Sequence, residues 1–220
     1  MSPTMRTVHL SRFLALSVVA VLVLMPLWYQ ISALIARPAL ELAGQFMALG
    51  FDWVKGVQID GNLGVLRTRL NSVVMQPGGL KSMGELAPKL DYRMVGYSMV
   101  LLWALLIASW PHRMWLKLPV GTALLLATHS FSLCFTWLQQ VFFAAGADVL
   151  HQAAPAPWLR DVVAFMFHFN LYIMTPLAPV LIWLSLNHAF ASHLWRGAQT
   201  VPTGITEPQT SPPSRFSSMT

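Results

Sequence analysis

"FLALSVVAVLVLMPLWYQISALIA", residues 13–36, is a run of 24 residues without a formal charge, bounded by Arg12 and Arg37. A helix crossing a hydrocarbon core of about 30 Å needs roughly 20 mostly apolar residues, because each residue rises only about 1.5 Å. The run therefore predicts a membrane span. Composition agrees: 55% of the chain is hydrophobic and 10% charged, where a soluble domain carries about 25% charged residues. The basic leader "MSPTMRTVHLSR" has the look of a secretion signal, but the apolar part is longer than a signal core of about 7–15 residues. It reads as an uncleaved anchor.

Three further stretches extend the pattern. Residues 94–110, "MVGYSMVLLWALLIASW", are long enough for the short end of the spanning range, and residues 118–145 and 162–188 are longer. The expected fold class is an all-α membrane protein of four transmembrane helices with a small extracytoplasmic loop containing a β-hairpin. Its layout is a cytoplasmic leader (1–12), spans at 13–36, 94–110, 118–145 and 162–188, and a cytoplasmic turn at 111–117. Extracytoplasmic segments lie at 37–93 and 146–161, and a cytoplasmic, disordered tail at 189–220, which is rich in Pro, Ser and Thr.

Region 37–93 opens with apolar residues at helical spacing, predicting an amphipathic continuation of the first helix. In "VKGVQIDGNLGVLRTRLN" Val57 and Ile59 alternate before an Asp60–Gly61 turn signal, and Leu63 and Val65 alternate after it, which predicts a hairpin. The following "QPGGLKSMGELAPKLDYR" is punctuated by Pro and Gly and reads as a surface loop. A hairpin is marginal alone, so it is expected to lean on the helix, the membrane or another protein.

Formal charge is +6, but the cations flank spans or mix with acids in loops, so membrane lipid and not nucleic acid is the implied partner. Six cations (Arg6, Arg12, Arg113, Lys117, Arg196, Arg215) lie on one side, against Arg160 and the seven of residues 37–93 on the other. The short acid-free segments carry the positive-inside signal, which places both termini in the cytoplasm.

Polar groups at membrane depth face the bundle interior by default. His129, Ser132, Thr136 and Gln140 share one helical stripe, as do Asp161, His168, Tyr172 and Thr175. Two facing stripes of this kind would satisfy each other. One reading is interhelical hydrogen bonding; the other makes His129 and His168 a proton relay, metal pair or catalytic pair. Two histidines without a carboxylate at mid-membrane fall short of the three or four ligands usual for zinc, and no phosphate loop, HExxH or nucleophile elbow occurs. No cofactor or metal is therefore expected. Cys134 lies five residues after His129, about 140° around the helix, so those two are badly placed to touch. A pairing of Cys134 with His168, as in a membrane thiol peptidase or transpeptidase, and a small transporter or proton path are the alternatives to a non-enzymatic role. Pro26, Pro176 and Pro179 predict bent helices.

The run "CFTWLQQVFFAAG", then "PWLRD", then "TPLAPVLIWLSLNHAF", preceded by the hairpin-bearing loop and a short second span, resembles the exosortase H-associated membrane protein group of Gram-negative bacteria over about residues 12–191. The resemblance implies a multispanning inner-membrane protein associated with an exosortase system, which sorts and processes surface proteins bearing a C-terminal signal. Exosortases work through membrane-embedded Cys, Arg and His. This chain has Cys134 and His168 but no arginine inside a span, so the resemblance implies an accessory subunit and not the transpeptidase, with an exosortase or its substrate as partner.

Overall fold

A computed structural model describes residues 10–75, 81–109, 114–188 and 192. The first helix does not end at Ala36. Helix α1 runs from Leu10 to Gly50, 41 residues, through Pro26 and Pro38, so the amphipathic continuation is the upper half of one helix. At about 1.5 Å per residue it is some 60 Å long, twice the hydrocarbon thickness. Its upper half has a job other than crossing: Ala36, Ala39, Leu40, Ala43 and Met47 are buried and form the floor on which a sheet rests.

The predicted hairpin forms, as β1 (Val54–Asp60) and β2 (Leu63–Thr68), antiparallel, with Asp60 opposite Leu63. Gly61 begins the two-residue turn at φ +58, a left-handed conformation that only glycine adopts without a steric penalty. Gly61→Val is expected to cost about 1–2 kcal/mol, read as a lower thermal midpoint of the purified protein with the helical content unchanged.

The loop reading of residues 76–93 is corrected in part, residues 76–80 lying outside the described ones. Strands β3 (Asn71–Met75) and β4 (Lys81–Glu85) pair antiparallel as a second hairpin, and β5 (Lys89–Asp91) adds to β2, giving the order β1-β2-β5. Pro88, just before β5, does not interrupt the pairing, because it needs only its carbonyl, which accepts from Leu66 N at 2.9 Å. The Lys55 ammonium bonds Glu85 at 2.9 Å, linking the two sheets across the surface; this hydrogen bond holds the Glu85 carboxyl below its ordinary range.

From the sheet the chain descends through α2 (Arg93–Gly96) and α3 (Ser98–Ser109) to the foot of α4 (Met114–Gln139), which continues as a π-helical turn over Gln140–Ala144. The segment expected to be a loop between the last two spans contains α5 (Ala147–Ala153), and α6 begins at Pro157, where a missing N–H costs nothing at a helix start. Helix α6 (Pro157–His168), a π segment (Phe169–Met174) and α7 (Thr175–Leu186) form one continuous rod. Among the described residues, three helical rods are long and apolar enough to cross a membrane, Ser11–Gly50, Met114–Ala144 and Pro157–Leu186, while Arg93–Ser109 is apolar but shorter.

Two apolar cores follow. The lower one joins the helices, with Trp28, Met99, Leu102, Leu106, Leu125 and Trp183 among its members. The upper one joins the sheet to the rods through Leu40, Leu66, Leu90, Trp137 and Val141. Close approach of the sheet to the helices depends on Gly64 and Gly44: a Cβ on Gly64 would lie 2.5 Å from Leu40 and 3.1 Å from Trp137, and one on Gly44 would lie 2.5 Å from Val57.

Candidate functional site

Small residues on α1 let α4 come close enough for its polar side chains to reach across. Ser130 Oγ donates to the Ala39 carbonyl at 3.0 Å, and Cys134 Sγ donates to the Ala43 carbonyl at 3.5 Å. The thiol is buried and committed to that contact. His168, the partner a thiol mechanism would need, lies exposed on α6, with its Nδ1 at 2.8 Å from the Ala164 carbonyl and its ring against Tyr172 at 6.1 Å.

His129 is the best-enclosed ionisable group among the stripe residues, 1% exposed. Its Nδ1 stands 2.9 Å from Tyr92 Oη and its Nε2 2.7 Å from Ser98 Oγ. Proton bookkeeping assigns the tautomer. Ser98 has a single hydroxyl proton, which it donates to the Val95 carbonyl at 3.0 Å, so it accepts from Nε2–H. The Nδ1 lone pair is then free to accept from Tyr92. Burial pushes the Tyr92 phenol above its ordinary value, which keeps that donor protonated. A neutral imidazole with both nitrogens used thus clamps three elements: the end of β5 at Tyr92, the start of α3 at Ser98 and the middle of α4.

The two stripes do not pair with each other. In the first, Ser132 and Thr136 donate back along their own helix to the Thr128 and Ser132 carbonyls, at 3.1 and 3.0 Å. Gln140 Nε2 reaches out to the Lys89 carbonyl at 2.9 Å and pins β5 to α4. In the second, Thr175 Oγ1 donates to Asn170 O at 2.8 Å, bridging the π segment, whereas Asp161 and Tyr172 are exposed. Asn170, absent from the stripe, is buried and donates to Met166 O at 2.8 Å. The physical reason is that Ser, Thr and Asn satisfy themselves on the carbonyl one turn back more readily than across a helix gap.

Sequence reading missed Tyr92 and Ser98. Each lies more than thirty residues from His129, and no spacing announces the contact; a serine inside an apolar span was the available hint. At the opposite end Lys117 Nζ donates to Asn187 Oδ1 at 2.8 Å and Trp183 Nε1 to Ser109 Oγ at 3.1 Å, closing the foot of the bundle. Among the described residues no group of three or more His, Cys, Asp or Glu is placed to hold a metal ion.

The fold and its buried contacts define a helical membrane protein with a small antiparallel sheet seated on its rods, in which polar groups at depth fasten one element to the next. Over residues 7–190 the chain matches the family described as exosortase H-associated membrane protein, and it belongs to that family. No curated protein and no solved structure matches it.

Proposed function

We propose that the protein is a non-enzymatic accessory of an exosortase-type sorting system, an inner-membrane protein with four crossings and both termini in the cytoplasm. Association with exosortase H is what the family description states; the accessory role is our reading of the side chains. The observation that carries it is the occupation of the polar groups at depth. Cys134 is held on the Ala43 carbonyl, and both ring nitrogens of His129 are used in fastening helices. Groups locked this way serve packing and not turnover.

The surface supports a partner in the membrane plane. In the apolar stretch of α1 only 11% of residues are buried inside the molecule, against 39% in that of the α4 rod. Helix α1 therefore offers most of its circumference to lipid or to another helix. The test is tagged purification from the native host after mild detergent extraction. A sortase-like membrane transpeptidase is expected to co-elute, and Cys134→Ser should leave processing of sorted proteins intact. Solitary elution, or loss of processing in Cys134→Ser protein of normal abundance, would refute the accessory role.

A further inference from the structure

We propose that the outer edge of β3 is where an extended main-chain segment of the associated exosortase adds as a further strand. The inference deepens the accessory reading and rests on it: it names the surface that meets the partner outside the membrane.

Register decides which backbone groups of β3 are free. Leu86 N donates to Leu70 O at 2.8 Å, and the pairing continues with Ser72 opposite Gly84 and Val74 opposite Ser82. Antiparallel strands alternate, so Ser72 and Val74 turn their N–H and C=O toward β4, while Asn71 and Val73 turn theirs outward. At Asn71 the outward pair is taken. Gln152 of α5 accepts from Asn71 N through Oε1 and donates to Asn71 O through Nε2, both at 2.9 Å. A carboxamide used in both directions stands where one peptide group of a neighbouring strand would. Val73 is the next outward residue, about 7 Å on, which is the repeat of an extended chain. Among the described residues its outward N–H and carbonyl have no partner, since β3 pairs only with β4.

A donor and an acceptor at that repeat match extended polypeptide, which presents its own carbonyl and N–H at the same spacing. A lipid phosphate has no N–H to give. The edge faces water and not lipid, because open strand backbone does not occur in hydrocarbon. The base of the ribbon is held by Gln152 on one side and by the Lys55–Glu85 ion pair on the other, so little ordering is left for binding to do. Other edges are blunted. Gln140 donates to the Lys89 carbonyl of β5 at 2.9 Å, and β4 begins at Lys81, a residue type that discourages strand addition. A two-stranded ribbon is marginal by itself, and a third strand completes it.

Proline tests the edge, because it removes one N–H and a strand tolerates it where that N–H points outward. Val73→Pro deletes the free donor of β3. Met83→Pro, directly opposite, deletes an outward donor of β4 and is the control. In tagged purification from the native host, Val73→Pro is expected to retain about ten-fold less of the sortase-like transpeptidase than the intact protein does, the worth of one hydrogen bond, and Met83→Pro to retain all of it. Hydrogen exchange of the intact protein gives a second reading: the Val73 amide should exchange about ten-fold or more slowly in the complex than in the protein alone. Full retention by Val73→Pro, or a Val73 amide no slower in the complex, would overturn the proposal and leave the accessory reading standing. An equal loss in Met83→Pro would mean that the partner reads the shape of the ribbon and not its β3 edge, with the same result. Protection of that amide already in the protein alone would put a second copy on the edge and also overturn the proposal. Elution of the intact protein without a transpeptidase would remove the accessory reading and this proposal together.

Discussion

Replacing His129 by alanine is expected to cost about 3–4 kcal/mol and to loosen the sheet from the bundle. The ring is fully enclosed, so its removal leaves a cavity that rigid rods on either side cannot close. It also strands the Tyr92 hydroxyl, which is buried and donates to Nδ1. A deserted buried donor costs more than the hydrogen bond was worth, about 1–3 kcal/mol by itself. Tyr92→Phe removes donor and demand together and should cost markedly less, with the imidazole left short of one partner. Thermal unfolding of the two variants in one detergent gives the comparison. Equal losses would mean that the ring matters only as volume and that the hydrogen-bonded clamp is not what joins β5, α3 and α4.

Trp137→Ala should have an effect of similar or greater size, about 3–5 kcal/mol. The indole is 0% exposed and lies where Gly64 of β2 approaches the bundle, next to Leu40. Its Nε1–H has no partner among the described residues, so packing, not hydrogen bonding, holds it there. Without it the sheet loses its seat on α4 but not its own strand pairing. Limited proteolysis on the sheet side should cut within residues 51–91 in the variant and spare the intact protein, while helical content is kept. Resistance equal to that of the intact protein would show that Gln140 and the α1 floor suffice to dock the sheet.

Both variants bear on the association with an exosortase. Under the accessory reading, a protein that keeps its rods but releases its sheet separates two contributions to partner binding. If co-purification survives Trp137→Ala, the partner is held by α1 within the membrane; if it is lost, the sheet or its seat is required.

Much of the fold was legible in the residues. Charge-free runs announced the rods, since a single long apolar segment satisfies its own backbone polar groups within lipid as a helix. Asp60–Gly61 between alternating stretches announced the first hairpin, because the turn needs a left-handed residue at Gly61. The second hairpin and β5 stayed hidden: Lys81–Glu85 and Lys89–Asp91 are short, carry Gly84, and owe their extended state to pairing with strands up to about thirty residues away, a non-local term that composition does not report. The polar stripes were silent about neighbours. Helical periodicity says which residues share a face and not what that face meets, and it gave no hint that Tyr92 and Ser98 would close around His129.

By itself, then, the sequence determined that the chain is a membrane protein of apolar rods with a turn-bearing insert, because hydrophobic length and charge placement are local quantities. Only the tertiary structure decided that α1 runs unbroken to Gly50 to carry the sheet and that the polar groups at depth are clamps. These depend on which surfaces come together. A side chain's partner, and so its chemistry, is fixed by packing between segments distant in sequence, where no spacing rule reaches.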